Sequence, residues 1–419
     1  MSRLSRHLRP PAPLEKREWS IIGWLALVAF TSGWTGTVIT HALPFVRRTF
    51  ELDDRGVFDL MALIRAAALL GLLFSWWGDH RGRRLPLLTA FATLGAFNLA
   101  TAFAPNLSTF TWLQAGARIG GVALAALTIV YLAEEMRPGV RAYGLAMAAL
   151  FTSLGTGFGL FVRILGEGTD YGWRILYALS ALPLLLLPLL ARRLGESRAF
   201  RRRPDRPPLR QVFRAGFARY FWPMALLSMA VSAFTVPAAN LALIRMENDL
   251  GWSAGAASVT LALTSAPGVA LGLLAGGRVS DLIGRRPTEL AAAFVGVGGG
   301  VLFYFSTIPW MMGLGIFISM LGSFAFGPAF GAHRTELFPT RIRATAGAWL
   351  VNASIAGGMA GLAAGRFVVN QVGIPSTMAL LGGVMLAATG LLALVPETRG
   401  ADLTADDDAG FPTPGSFSL

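Results

Sequence analysis

The sequence predicts an all-α membrane protein, twelve transmembrane helices arranged as two pseudo-symmetric six-helix bundles. Three observations carry that prediction: a lipid-like composition, twelve apolar stretches of spanning length, and a set of charged motifs that occurs twice. Of 419 residues, 54% are hydrophobic and only 14% charged, with a mean hydropathy of +0.57. A soluble domain carries about 25% charged residues. A spanning helix needs about 20 consecutive apolar residues, and such stretches run at 20–46, 57–77, 85–104, 109–133, 143–165, 174–191, 221–246, 256–277, 289–306, 309–332, 345–368 and 376–395.

The first stretch follows a basic segment, Met1 to Trp19, that resembles the start of a signal peptide. The apolar run is too long for the 7 to 15 residues of a signal core, so it is expected to be the first transmembrane helix. Charge placement sets the orientation. With the N-terminus inside, 27 of the 36 basic residues fall in inner tails and loops, seven in or beside outer loops, and two, Arg65 and Arg118, at membrane depth. The positive-inside rule therefore predicts two cytoplasmic termini in an inner or plasma membrane. The net charge of +13 belongs to that topology, and no nucleic-acid partner is expected. The predicted organisation is an N-tail at 1–19, bundles at 20–191 and 220–395, a linker at 192–219 and a C-tail at 396–419. The linker carries ten arginines, suited to resting on anionic lipid of the inner leaflet.

The duplication rests on three pairs of motifs. Asp79-His80-Arg81-Gly82-Arg83-Arg84 recurs as Asp281-Leu282-Ile283-Gly284-Arg285-Arg286 at an offset of 202. Glu135-Met136-Arg137-Pro138 matches Glu336-Leu337-Phe338-Pro339, and Glu196 matches Glu397, both at an offset of 201. Tandem six-helix repeats are the building plan of many secondary transporters. Each half thus supplies Asp, Arg, Glu, Arg and Glu at one membrane face: Asp79, Arg83, Glu135, Arg141 and Glu196, then Asp281, Arg285, Glu336, Arg343 and Glu397. Topogenic charge would require only the bases. The recurrence of the acids predicts two ion-pair networks that gate the cytoplasmic side.

These motifs, with Pro396-Glu397-Thr398-Arg399-Gly400 at the end of the last helix, resemble signatures of the major facilitator superfamily over nearly the whole chain. Gly172-Trp173-Arg174, Gly195-Glu196-Ser197 and Glu336-Leu337-Phe338-Pro339-Thr340 are similar to its sugar-porter and metabolite:proton symporter branches. The resemblance implies a secondary carrier working by alternating access, with protons as candidate co-substrate. The Gly-x-x-x-Gly-Pro element of drug antiporters is missing from helix 5, which leaves efflux of a drug or metabolite as the alternative to uptake. Arg118 resembles the family's helix 4 arginine. The helix 1 acid that commonly partners it is replaced by Thr35, in Gly33-Trp34-Thr35.

Ionisable groups at membrane depth are functional candidates by default. Arg65 and Arg118 lie near the midplane without a carboxylate in obvious reach, which points to a solute bearing an anionic group; bonding to backbone carbonyls is the competing role. Arg163, at a helix end, is expected to snorkel outward. Asn240 and Asn352 are candidates for hydrogen bonding to a polar solute or for bonding between helices. Trp34 is a candidate for stacking on a ligand or for packing. Enzyme chemistry is not expected: Gly251-Trp252-Ser253-Ala254-Gly255 has the spacing of a nucleophile elbow but opens a helix, where Ser253 serves as an N-cap. With no cysteine and four scattered histidines, neither metal nor cofactor is expected. The carrier is expected to act as a monomer on a small-molecule substrate.

Overall fold

The computed structural model describes residues 13–169, 171–197, 215–338 and 340–399. The predicted N-tail up to residue 12, the linker residues 198–214 and the tail from 400 lie outside the described residues. Among the described residues nine helical runs are long and apolar enough to cross a membrane, and one of these, Thr345–Leu394, turns at Gly373 and contains two predicted helices. The other two predicted stretches are helical as well, so all twelve are accounted for. We number them α1 (Lys16–Thr49), α2 (54–81), α3 (Arg84–Thr101), α4 (Leu107–Glu135), α5 (Pro138–Val162), α6 (Gly172–Arg193), α7 (Ala215–Ile244), α8 (Ala254–Ile283), α9 (Arg285–Phe305), α10 (Pro309–Glu336), α11 (340–372) and α12 (374–394).

Local chemistry sets the starts and breaks. Asn106 opens α4 by accepting the Thr109 amide at 2.9 Å, and Ser253 opens α8 by accepting that of Ala256 at 3.1 Å, as an N-cap should. Gly373 has φ +76°, a conformation that costs glycine little. It turns the chain from α11 into α12 in a single residue, where the sequence predicts a longer loop. Pro183 and Pro188 lack amide hydrogens, and α6 tightens into a 3-10 turn at Leu182–Leu186 that contains the first and ends just before the second. The predicted second helix also tightens, at Ala67–Gly71.

Contacts divide the chain into two units, 1–51 with 63–204 and 52–62 with 205–419. In the first unit, Leu25, Leu87, Phe91, Leu124, Leu127 and Tyr131 form part of a buried core. There α1 crosses α5 so closely that a Cβ at Gly33 or Gly155 would overlap the carbonyls of Thr152 and Phe30. In the second unit, α7 and α11 cross the same way, with Gly357 and Gly361 against the carbonyls of Met229 and Ala233. Such small-residue crossings are how helices associate where lipid removes the hydrophobic drive. Also in the second unit, Asp59 pairs with Arg366 at 2.9 Å and Asp53 accepts from Asn370 at 3.1 Å.

The crossing supplies a paired test. Gly155→Ala should lower the midpoint of thermal unfolding in detergent, overpacking costing about 1 to 3 kcal/mol. Gly157, two residues on, faces open space. Gly157→Ala should raise the midpoint or leave it unchanged, because alanine is the better helix former by up to about 1 kcal/mol.

Candidate functional site

A cavity of about 230 Å³ lies within the first unit, walled by α1 to α5. Its polar lining includes Thr35 and Thr37 from α1, Asn98 from α3, Gln114 and Arg118 from α4, and Thr152 and Thr156 from α5. The α1 helix breaks beside it: Lys16–Gly36 and Val38–Thr49 are separated at Thr37. The Thr37 hydroxyl donates back to the Gly33 carbonyl at 2.6 Å, and Thr156 donates to the same oxygen at 3.3 Å. Irregular backbone at membrane depth is tolerated where neighbours satisfy it or where it lines a cavity, and broken helices mark transporter sites.

The neutral polar groups are held by one another. The Asn98 amide donates to the Thr35 carbonyl at 3.1 Å, while Gln114 donates to Thr101 at 2.9 Å and to Asn98 at 3.4 Å. Thr35 turns its hydroxyl to its own helix, at 2.8 Å from the Thr31 carbonyl. Arg118 is different. It lines the cavity, and among the described residues it has neither a hydrogen bond nor an ion pair. Arg65 is half-buried on α2 in the same unit. It is not part of the cavity wall; among the described residues its Nε is enclosed without a hydrogen-bond partner, and the Arg118 charge opposes its own.

The other predicted site residues fall elsewhere. Trp34 packs edge-on against Phe158, ring centres 4.9 Å apart, and is absent from the cavity wall. Asn240 is buried in α7 and Asn352 half-buried in α11, both in the second unit. Arg163 does not snorkel outward. It is fully buried, donating from Nε to the His41 carbonyl at 3.0 Å with its guanidinium over the Phe45 ring, because a carbonyl and an aromatic face together solvate a cation inside the bundle.

At the loop ends of both units, the duplicated motifs form matching clusters. Arg83 grips Glu134 at 2.8 and 3.0 Å, and Arg285 grips Glu336 at 2.7 and 3.0 Å, each through Nη2 and Nε. Ser197 donates to Glu134 and Thr398 to Glu336, both at 2.6 Å. The Glu196 carboxylate accepts the Arg83 amide at 2.6 Å, and the Glu397 carboxylate accepts those of Arg285 and Arg286 at 2.8 and 3.0 Å. Gly82 and Gly284, at φ +102° and +113°, leave room for these acids, since a Cβ at either would run into the carboxylate. Burial alone would raise the Glu397 carboxyl above the ordinary range, but the amide donors of Arg285, Arg286 and Arg399 outweigh it and hold it low.

Two predicted members have other partners. Glu135 pairs with Arg17 at 2.9 Å, and its neighbour Glu134 takes the place matched to Glu336. Arg343 donates to the Phe338 carbonyl at 3.1 Å, capping a turn. Asp281 pairs with Arg285, while the side chains of Asp79 and Arg141 lie outside the described residues. Both Arg to Glu contacts join residues 51 apart. Asn98 and Gln114 were visible as polar residues inside apolar stretches.

Comparison with known proteins agrees with this architecture. Residues 25–239 and 224–414 match the Major Facilitator Superfamily. The chain is 27% identical to the 3-(3-hydroxy-phenyl)propionate transporter of Escherichia coli strain K12, over 95% of this chain and 99% of that one. It is 25% identical to the citrate-proton symporter of Klebsiella pneumoniae, over 75% of each. The inward open structure of the xylose transporter XylE from E. coli superimposes with a TM-score of 0.73 at 18% identity, over 92% of this chain and 98% of that one. The unsatisfied arginine in a cavity beside a broken helix and the duplicated loop clusters therefore belong to a multi-pass membrane transporter of the major facilitator superfamily.

Proposed function

We propose that this transporter takes up a small metabolite bearing a carboxylate or similar anion, by alternating access and proton symport. One observation carries the solute class: the Arg118 guanidinium lines a polar cavity with no hydrogen bond or ion pair among the described residues. A buried cation without a partner carries a desolvation penalty. A bound carboxylate would remove much of it for Arg118 and would ease the repulsion between Arg118 and Arg65. Thr35, where relatives often carry an acid, leaves the anion unopposed. The named substrates of the E. coli and K. pneumoniae relatives, a propionate and citrate, support the reading, and the name of the second supports proton coupling.

In this reading residues 20–191 and 220–395 are the two moving bundles, and both termini are cytoplasmic in the inner or plasma membrane. The basic linker 192–219 lies on anionic lipid, and one chain is the working unit. The Arg83 and Arg285 clusters close the cytoplasmic side and release it during state exchange. Supporting this, each is a bidentate, largely enclosed pair, stronger and more directional than a surface ion pair.

A thermal-shift screen of the purified protein against carboxylic acids, sugars and lipophilic cations tests the solute class, since a ligand of the folded state raises the midpoint. Carboxylates should give the shifts. Arg118→Ala should abolish them and Arg118→Lys retain only part, because lysine keeps the charge without the bidentate fork. Stabilisation by neutral sugars that survives in Arg118→Ala would refute the anion reading.

Two further outcomes concern the clusters. A double-mutant cycle on unfolding should give about 1 to 3 kcal/mol of coupling between Arg83 and Glu134 and almost none between Arg83 and Glu135. Because the Glu397 carboxyl is held low in the folded protein, its contribution is complete above the ordinary glutamate pKa of about 4.3. It is lost as the pH falls through the lower folded value. Acid unfolding monitored by tryptophan fluorescence should therefore begin at higher pH in wild type than in a Glu397→Gln variant normalised to its own neutral-pH stability.

A further inference from the structure

The two units solve one problem in different ways. In the first, the Tyr131 hydroxyl donates to the Gly195 carbonyl at 2.6 Å and Leu87 is fully buried nearby in the same core. The offset of 202 that relates Arg83 to Arg285 turns Tyr131 into His333 and Leu87 into Glu289. His333 keeps the job of its counterpart: its Nε2 meets the Pro396 carbonyl at 3.0 Å, just before Glu397. Its Nδ1 lies 2.8 Å from Glu289 Oε1, and both side chains are 0% exposed. Among the described residues the other Glu289 oxygen has no hydrogen-bond partner.

The bonding pattern fixes the proton count. A carbonyl only accepts, so Nε2 carries a hydrogen. The contact between Nδ1 and Oε1 then needs one more proton, on the imidazole if the acid is ionised or on the acid if the imidazole is neutral. Without that proton, a lone pair on Nδ1 faces a carboxylate in a dry site, and the contact becomes repulsive. We propose that Glu289 and His333 form a proton-binding site that holds the C-terminal end of the second unit, residues 395–399, against α9 only while the proton is bound. When the proton leaves to solvent, His333 separates from Glu289 and loosens its hold on Pro396. Glu397 then withdraws from the Arg285 and Arg286 amides.

The surrounding charges are consistent with a neutral pair that gains or loses one proton. Glu397, from the C-terminal segment, and Arg286, on α9, act on Glu289 with opposite signs, and Glu397 also acts on His333. On α10, Glu336 lies one turn beyond His333 and is engaged by Arg285, which also takes Asp281 of α8; Arg334 is the remaining charged group of that turn. Arg343 of α11 is turned to the Phe338 carbonyl, and the end of α12, Thr389–Leu394, carries no charge. Among the described residues, the acids named around the pair, Glu336, Asp281 and Glu397, are thus each occupied by basic side chains or backbone amides. The site gives the proton of the symport reading a place in the second unit, but its test uses no solute, so either idea can fail alone.

The chain has no cysteine, so a nitroxide attached at Arg399→Cys reports on the end segment without background. In full-length protein in detergent, the mobile fraction of the label should rise about tenfold between pH 5 and pH 9, the equilibrium equivalent of losing one buried hydrogen bond. Glu289→Gln supplies an amide donor to Nδ1 and needs no proton. The label should then stay immobilised within about twofold across the range, as it should in the double variant Glu289→Leu with His333→Tyr, which copies the first unit. If that double variant fails to fold, the near-isosteric Glu289→Gln alone decides the matter. A wild-type label indifferent to pH, or the same pH response in Glu289→Gln, would overturn the proposal.

Discussion

Everything at the loop ends of this transporter depends on a carboxylate seated on the opening amides of a helix. Glu196 takes the Arg83 amide, and Glu397 takes those of Arg285 and Arg286. The first amides of a helix have no partner within it. The acid satisfies them and meets the positive end of the helix dipole. It also requires glycine at 82 and 284, because any side chain there would occupy the carboxylate's place. With the backbone so fixed, Arg83 and Arg285 are aimed at Glu134 and Glu336. The Asp-x-x-Gly-Arg-Arg motif is thus the covalent part of a cluster completed about 110 residues later by Glu196 and Glu397.

Because the plan occurs twice, each unit is a control for the other. Arginine, glutamate, hydroxyl and capping acid are common to both, so they meet a need shared by both halves. Differences between the halves are then informative. One half secures the carbonyl before its capping acid with a tyrosine, the other with a histidine that needs an acid and a proton behind it. One half has a polar cavity lined by an arginine that has no partner among the described residues. The proposed readings accordingly place substrate recognition in residues outside the common plan, and proton response in a departure from it.

The fold was legible because spanning length and the repeat are coarse, redundant signals that survive errors of a residue or two. The clusters were legible as far as their chemistry and their face of the membrane. Which of two adjacent glutamates joins Arg83 was not: Glu134 and Glu135 differ by about 100° around the helix, and the offsets of 201 and 202 both lie within the repeat. The fate of Arg163 was hidden because its acceptor is the backbone of His41, and backbone acceptors leave no trace in a sequence. Trp34 was ambiguous for a related reason: Phe158, which it packs against, lies four helices away in the chain. Arg65 and Arg118 were the clearest site signal, since a guanidinium at membrane depth needs compensation of some kind.

The lack of internal compensation at Arg118 bears on how a carrier of this kind can work. A cation tightly paired within the protein would have to break that pair to bind solute, and the cost would be subtracted from affinity. Here Asn98, Gln114 and Thr35 bond to one another and to backbone, so the neutral polar wall is already satisfied and the charge alone is available. Arg65 stands outside the cavity wall with its charge opposed by that of Arg118, so on the proposed reading an anion bound at Arg118 would also ease that repulsion. On that reading affinity would come from relieving a penalty built into the empty state, and release would require only that water regain access to the Arg118 guanidinium. That balance suits a carrier, which must let go of its solute as readily as it takes it up.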